Sequence, residues 1–324
     1  MPYRLLHVIL IYLFLLPIVL YAQEEKQETL GLVTGPHTGT YIAFGKDIAA
    51  LARSQDLEVR AVSSGGSIEN IKHITDSQGN APIGIVQSDV LSFLKRSQKS
   101  DSQKISRQLR MVLPFYQEEV HLLARRTITS TDDLNGARVV IGGAGSGSML
   151  TSINLLSLLG IVPAKMYQVS PPEGLVAVLN DEADAMVFVG GKPVRLFKNM
   201  EDLAHITEGA NAGKLDQVHF LPLDASQLKD EYAAASITPE DYSYVAETVP
   251  TIAVTAMLVA YDFSAKKTSL EKLRCGQIGK LVTIIRDNLG FLKANSHPKW
   301  HEVDLDADIG APWKRDRCAW PAEE

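Results

Sequence analysis

The sequence Gly142-Gly-Ala-Gly-Ser-Gly-Ser148 joins a short apolar run to a segment with helical periodicity. Two further turns have the same setting, Gly35-Pro-His-Thr-Gly-Thr-Tyr41 and Ser63-Ser-Gly-Gly-Ser67. Where a strand passes through such a turn into a helix, the first amides of the helix have no partner within it and point beyond the end of the strand. Glycine lets a ligand approach the backbone, and Ser or Thr can donate to a carboxylate. The three turns therefore predict a site for a small negatively charged molecule.

Short runs rich in Val, Ile and Leu alternate with helical segments along most of the chain. We expect strands over 30–34, 57–62, 82–86, 110–114, 137–142, 166–169 and 185–189, and helices over 41–54, 67–77, 89–97 and 148–160. This alternation predicts an α/β fold with a mostly parallel sheet covered on both faces. Ligands of such sheets bind beyond the carboxyl ends of the strands, where the three turns lie.

Two longer apolar runs, 119–126 and 250–262, stand apart from the others. A chain of 324 residues exceeds what one hydrophobic core usually holds, so two domains are expected. Each long run could pass from one domain into the other, and a pair of such crossings would let two lobes close on a ligand. The segment 264–294 has helical spacing and should pack back on the first lobe.

The first residues indicate where the chain is sent. Arg4 precedes an apolar stretch, 5–20, that is followed by Ala22 and by charged residues. The stretch is shorter than the roughly 20 residues of a membrane span, and a small residue at its end is typical of a cleavage site. We interpret 1–22 as a cleaved signal peptide, with an uncleaved anchor as the alternative. The net charge of −6 argues against nucleic acid as a partner.

A series of short motifs follows in a fixed order along the rest of the chain. They are Thr34-Gly35 with Thr38-Gly39-Thr40-Tyr41, Ser64-Gly65-Gly66-Ser67-Ile68-Glu69-Asn70, Ile85-Val86-Gln87-Ser88-Asp89, Tyr116-Gln117-Glu118-Glu119-Val120-His121, Gly145-Ser146-Gly147-Ser148, Ala183-Asp184-Ala185, Val249-Pro250-Thr251 and Ala256-Met257-Leu258. Together they resemble the TAXI family of solute-binding proteins, the periplasmic receptors of TRAP transporters. Each motif is weak alone, and their common order carries the resemblance.

The resemblance implies a type II periplasmic binding protein, in which two doubly wound α/β lobes are joined by two hinge strands around a central cleft. Lobe I would comprise 23–120 and 256–324, and lobe II would comprise 121–255. The implied function is transport: capture of a small carboxylate such as glutamate, glutamine or 2-oxoglutarate, and delivery to the membrane subunits of an ion-driven TRAP permease. The alternative is a periplasmic sensor that signals to a membrane kinase. No cofactor is implied.

The resemblance also assigns ligand-binding residues. They are Thr38, Gly39, Thr40 and Tyr41 in the first turn, Ser64, Gly65, Gly66 and Ser67 in the second, Gly145, Ser146, Gly147 and Ser148 in the third, and Phe188 as an apolar wall. Gln87 and Asp89 could bind a polar ligand group, but Asp89 could equally cap the helix that it begins. No arginine lies in the three turns, so backbone amides and hydroxyls would receive the negative charge.

Neighbouring carboxylates, Glu118 and Glu119, could receive the amino group of an amino-acid ligand. Adjacent residues in a strand face opposite ways, so at most one of them reaches the cleft.

Residue patterns for catalysis or metal binding are weak. The glycines of 142–147 lack the Lys-Ser or Lys-Thr of a phosphate-binding loop, and Ser146 and Ser148 lack the spacing of a nucleophile elbow. His297 and His301 have Pro298 between them and no obvious third ligand. We therefore expect a binding protein that is not an enzyme and holds no metal.

The chain has two cysteines, Cys275 and Cys318. Because exported proteins fold in an oxidising compartment, we expect them to form a disulfide that ties the Trp-rich C-terminal segment to the preceding helix.

Overall fold

Strands alternate with helices in the computed structural model of the chain, which describes residues 28–37, 39–76, 81–97, 99–206, 208–309 and 312–321. The predicted signal peptide and Thr38 lie outside these residues. The strands are β1 (Leu30–Val33), β2 (Val59–Val62), β3 (Ile83–Gln87), β4 (Leu109–Arg125), β5 (Arg138–Val140), β6 (Lys165–Tyr167), β7 (Ala185–Gly190), β8 (Val218–Phe220), β9 (Ala233–Ile237) and β10 (Val249–Tyr261). The helices are α1 (Thr40–Arg53), α2 (Ser67–Thr75), α3 (Val90–Arg96), α4 (Ser100–Gln108), α5 (Gly147–Leu159), α6 (Pro171–Leu179), α7 (Arg195–Lys198), α8 (Glu201–Ala204), α9 (Ser269–Asp287) and α10 (Leu289–Asn295).

One mixed sheet runs through the molecule in the order β2-β1-β3-β10-β4-β7-β5-β6, with β8 beside β4 and β9 beside β10. Strands β1, β2 and β3 are parallel to one another, as are β5, β6 and β7. Between these groups, β10 and β4 pair antiparallel with each other and with their outer neighbours. We call the part built on β1, β2 and β3 lobe I and the part built on β5, β6 and β7 lobe II.

Strands β4 and β10 pass through both lobes. The sequence predicts two separate strands, 110–114 and 119–126, where the structure has the single 17-residue strand β4. Pro114 and the polar residues after it hide this continuity in the sequence. The register between β4 and β10 shifts from Thr255 opposite Gln117 to Met257 opposite Pro114, and such an irregularity accommodates a proline within a sheet.

Apolar side chains cover both faces of the sheet in each lobe. In lobe I, one cluster packs beneath α1 and α9 and another beneath α2 and α3. In lobe II, one cluster packs beneath α5 and another beneath α6 and α7. Helix α5 also contacts α2 and α3, so it joins the two lobes. The two groups of parallel strands, joined by two through-strands, give the predicted architecture of a type II periplasmic binding protein; the residue boundaries of the lobes stay a prediction.

The C-terminal segment packs against lobe I. The expected helix over 264–294 is divided at Asn288 into α9 and α10, and α9 packs against α1 as expected. Trp300 is fully buried and stacks on Phe44, with ring centroids 4.2 Å apart. The expected disulfide between Cys275 and Cys318 is confirmed, with the two Cα atoms 5.1 Å apart.

Helix α4 is present in the structure, but the sequence does not predict it. None of its residues is buried, so the polar sequence shows no apolar stripe. Within the described ranges, no helix is long and apolar enough to cross a lipid bilayer.

Candidate functional site

The second and third predicted turns touch each other. The amides of Ile68 and Glu69, in the first turn of α2, donate to the carbonyl of Gly145 at 3.2 and 3.4 Å. Gly66 has a φ of +119°, and a Cβ at this position would lie 3.2 Å from the amide nitrogen of Gly147. Glycine at position 66 thus permits both an unusual backbone conformation and the close approach of the opposite lobe.

Donors of the second turn are used within the protein. The Gly65 amide donates to Glu69 Oε2 at 2.8 Å, and the Gly66 amide donates to Ser64 Oγ at 3.1 Å. Ser64 Oγ in turn donates to Asn70 Oδ1. In this conformation the second turn is therefore closed, and an anion could reach the amides of α2 only if the carbonyl of Gly145 moved away.

Hydroxyl groups of the third turn hold α5 in place. Ser146 Oγ accepts a hydrogen bond from the Met149 amide at 3.1 Å and caps the helix. Ser148 is buried, and its Oγ accepts from the Val189 amide at the end of β7 at 3.0 Å. Both serines fix the third turn against lobe II.

The first turn leads into α1, whose N-cap residue is Gly39. Thr40 and Tyr41 form the first residues of this helix. Tyr41 is buried, and its hydroxyl donates to Glu118 Oε2 on the through-strand β4 at 2.7 Å. The first turn therefore meets the strand that connects the lobes.

A group of polar side chains lies where these elements meet, and we call it the cleft cluster. Its members are Tyr41, Ser67, Gln87, Tyr116 and Glu118, all of them buried. Ser67 Oγ accepts from the Gln87 amide at 3.2 Å and also contacts the Tyr41 hydroxyl. The Gln87 side chain lies close to the carboxylate of Glu118. The cluster joins the end of β3, the first turns of α1 and α2, and β4.

Lobe II approaches this cluster through Gly147. A Cβ on Gly147 would overlap the side-chain amide of Gln87 and would lie 2.9 Å from its Nε2. The cleft cluster therefore stands at the boundary of the two lobes. Predicted site residues from all three turns contact this cluster or the turns around it.

Burial controls the ionisation of the cleft cluster. It raises the pKa of Glu118 to about 7, although the hydrogen bond from Tyr41 and the nearby Gln87 side chain act in the opposite direction. It also raises the pKa of the Tyr116 hydroxyl, and the negative charge of Glu118 adds to that increase. The Tyr116 hydroxyl oxygen is buried and has no hydrogen-bond partner. A buried polar group without a partner is uncommon in folded proteins.

Glu119 and His121 face away from the cleft cluster. Glu119 Oε2 accepts from the Lys192 amide of lobe II at 2.9 Å. His121 is buried, and burial lowers its pKa to about 3, so the imidazole is neutral at physiological pH. Phe188, the predicted apolar wall, is half-buried and packs edge-on against Phe197 with ring centroids 5.7 Å apart.

Asp89 links the two lobes. It stands at the N-cap position of α3, yet its side chain makes no capping hydrogen bond. Instead, its Oδ2 accepts from Asn154 on α5 and from the Tyr232 hydroxyl, both at 3.2 Å. Its other carboxylate oxygen is buried without a partner, and burial raises the pKa of Asp89 to about 6.

Lys299 is a charged residue near the proposed site that no sequence pattern indicates. This residue lies in the short 3-10 helix Pro298–Glu302 and is 9% exposed. Its Nζ contacts the two carboxylate oxygens of Glu302 at 2.6 and 2.7 Å. A Cβ on Gly191 of lobe II would lie 2.9 Å from this Nζ, so Lys299 brings a positive charge from the C-terminal segment to the edge of lobe II.

A cavity of about 330 Å³ lies between the through-strands and the residues after Lys299. Its lining includes Ser88, Gln117 and Thr255, the cleft-cluster residue Tyr116, and the acidic residues Glu231 and Asp304. None of the three turns lines it. In the part of the chain that the structure describes, no group of His, Cys, Asp and Glu side chains could hold a metal ion.

The fold defines the class of this protein as a two-lobed α/β architecture, in which turns from both lobes meet over two through-strands. A family model described as the NMT1-like family matches residues 32–307. The chain belongs to this family.

Solved structures with a similar fold include three that share little sequence with this chain. The periplasmic binding protein BugD has 11% identity, with 85% of each chain covered and a TM-score of 0.48. MatC from Rhodopseudomonas palustris, with bound malate, has 14% identity, covers 81% of this chain and 84% of its own, and has a TM-score of 0.47. The GluR0 ligand-binding core from Nostoc punctiforme, in complex with L-glutamate, has 17% identity, covers 82% and 97%, and has a TM-score of 0.43. No curated protein sequence matches the chain.

Proposed function

We propose that this protein is the periplasmic solute-binding receptor of a TRAP transporter of the TAXI type, and that it captures a small carboxylate. The observation that carries this proposal is the convergence of turns from both lobes on the buried cleft cluster at Tyr41, Gln87 and Glu118. The order of motifs along the chain supports the assignment to the TAXI type. The signal peptide would be removed during export to the periplasm.

Capture would depend on movement of the lobes. In the described conformation the Gly145 carbonyl accepts the hydrogen bonds of the Ile68 and Glu69 amides, so a ligand could reach these amides only after the two turns separate. When the lobes close again, ligand groups that touch both lobes stabilise the closed shape. An ion-driven membrane permease would recognise that shape and accept the solute. The protein itself would carry out no reaction.

A thermal-shift screen tests this proposal. Amino acids and dicarboxylates of four to six carbons are added to the purified mature protein, and the melting temperature is recorded. A ligand at 100 times its Kd adds about 2.7 kcal/mol to the free energy of unfolding, which is readily detected. We expect at least one of these carboxylates to raise the melting temperature. Unchanged melting across the whole panel at millimolar concentration would contradict the proposal.

Substitution at Gly147 tests where the ligand binds. In Gly147→Ala the new methyl group would overlap the buried Gln87 side chain, so the third turn could no longer close over the cleft cluster. We expect calorimetry to show ligand affinity reduced by about tenfold or more, which corresponds to about 1.4 kcal/mol. Gly143→Ala is the matched control, because a Cβ there meets only the Val169 carbonyl oxygen at 3.7 Å. Equal affinities of the two variants would place the ligand elsewhere.

A further inference from the structure

The cleft cluster contains a carboxylate, that of Glu118, for which the described part of the chain provides no ion-pair partner. We propose that the ligand is an α-amino acid bound as a zwitterion, with its ammonium group on the carboxylate of Glu118 and the hydroxyl of Tyr116. This inference rests on the proposed function, because it specifies which kind of carboxylate the cleft accepts.

The side chains that contact Glu118 are uncharged. Glu118 is 6% exposed, it accepts a hydrogen bond from the Tyr41 hydroxyl at 2.7 Å, and the side chain of Gln87 lies close by. Among the described residues, Glu118 takes part in none of the ion pairs. A buried carboxylate without a counter-charge is unfavourable. A bound cation would remove that cost.

Lys299 and Lys192 are already paired with other carboxylates. Lys299 Nζ contacts both oxygens of Glu302, and Lys192 Nζ contacts Asp241 at 2.9 Å. The charge of Lys299 is felt at Glu118, but so is the opposing negative charge of Glu119. Of the residues that the structure describes, none supplies an ammonium or guanidinium group that contacts Glu118 directly.

Tyr116 provides a second and independent observation. It lies two residues before Glu118 on β4, and residues two apart share one face of a strand. Its residue is 1% exposed and its hydroxyl oxygen has no hydrogen-bond partner, although the Thr40 side chain lies close by. An ammonium group has three N–H donors, so it can donate to the Glu118 carboxylate and to the Tyr116 oxygen together.

Ligands without an amino group fit this cluster less well. A 2-oxo acid carries a carbonyl oxygen where an amino acid carries its ammonium group, and that oxygen would face the acceptor oxygens of Glu118. The free amine has the ammonium group but lacks the carboxylate that the turns are predicted to bind. A site that must hydrogen-bond one group of its ligand rejects analogues lacking that group strongly.

Matched ligands separate this inference from the proposed function. Calorimetric titration compares an amino acid that binds in the screen, its 2-oxo acid and its decarboxylated amine, for example glutamine, 2-oxoglutaramate and 4-aminobutanamide, because the amine derived from glutamine carries no carboxylate. We expect the 2-oxo acid to bind at least about 100-fold more weakly than the amino acid. If the 2-oxo acid binds equally well, the inference is wrong and the proposed function stands. If the amine binds as well as the amino acid, the ammonium position at Glu118 stands, but both the zwitterion and the proposed carboxylate site are wrong. Failure of all three ligands across the panel would overturn both.

Two variants then test whether Glu118 binds the ammonium group. Glu118→Gln keeps the shape of the side chain but removes the negative charge, and we expect it to weaken amino-acid binding by about 100-fold. Glu119→Gln is the matched control, because it removes a carboxylate one residue away that faces Lys192 instead. Equal losses in the two variants would contradict the assignment to Glu118. If Glu118→Gln does not fold, the comparison of the three ligands on the wild-type protein still decides.

Discussion

Glu118→Gln is expected to make the ligand-free protein more stable at pH 8. Burial raises the pKa of Glu118 to about 7, so the ionised side chain destabilises the folded state at pH 8 by about 3 kcal/mol relative to the unfolded chain. Glutamine has nearly the same shape, and its carbonyl oxygen can still accept the hydrogen bond from Tyr41. Removal of the charge therefore raises the free energy of unfolding, measured by urea denaturation, by up to that amount.

The pH dependence gives this prediction its control. A carboxyl group with a raised pKa binds a proton more readily in the folded state, so its destabilising effect grows as the pH rises towards and past 7. At pH 5 the folded state carries a protonated Glu118, and the advantage of the variant should fall below about 1 kcal/mol. Asp89 and His121 titrate in both proteins, so their contributions cancel in the difference. A variant that is less stable than wild type at pH 8 would show that the charge of Glu118 is already compensated within the protein.

The effects of Glu118→Gln on stability and on ligand affinity together distinguish a binding residue from a structural one. A residue that lowers the stability of the empty protein and raises its affinity for ligand is a binding residue, because the ligand supplies what the fold lacks. If the carboxylate were purely structural, its substitution would instead lower the free energy of unfolding of the protein.

Loss of the disulfide is the second large expected effect. We expect the double variant Cys275→Ser/Cys318→Ser to have a free energy of unfolding about 4 kcal/mol lower than that of the wild type. The disulfide closes a loop across a sequence separation of 43 residues, and this loop restricts the unfolded chain. Burial of both cysteines adds to the loss, since two serine hydroxyls would lie in an apolar cluster. Urea unfolding followed by circular dichroism measures the change.

Single variants and a reducing agent provide the controls. Each single substitution should cost nearly as much as the double substitution, because either one breaks the bond. A reductant should lower the unfolding midpoint of the wild type and leave the double variant unchanged. The C-terminal segment would keep other contacts with lobe I, including the hydrogen bond from Trp320 Nε1 to the Val112 carbonyl at 2.7 Å. A double variant as stable as the wild type would contradict the prediction.

Local sequence signals were sufficient for much of the fold. Apolar runs followed by glycine-rich turns identified β1, β2 and β5 to within a few residues, and an apolar run alone identified β3, because a buried parallel strand must be apolar throughout. The continuity of β4 could not be read in the same way. Its middle carries Pro114 and the polar side chains of the cleft cluster. These residues are compatible with a strand only because β4 pairs with β10 through an irregular register.

The candidate site was only partly predictable for a similar reason. Glycine-rich turns reveal themselves in a sequence, but the contact of the Gly145 carbonyl with α2 depends on how the lobes pack. The alternation of a strand showed that Glu118 and Glu119 diverge, but not which of them faces Tyr41. Lys299 comes from a distant segment without periodicity, so only the folded chain brings it to lobe II.

A crystal structure of the protein with the amino acid that binds most tightly tests the central claim most directly. We predict that the ligand lies between the third turn and β4, with its nitrogen about 2.8 Å from a carboxylate oxygen of Glu118. A ligand found in the acidic cavity beside Glu231 and Asp304, or bound with its nitrogen away from Glu118, would contradict the account.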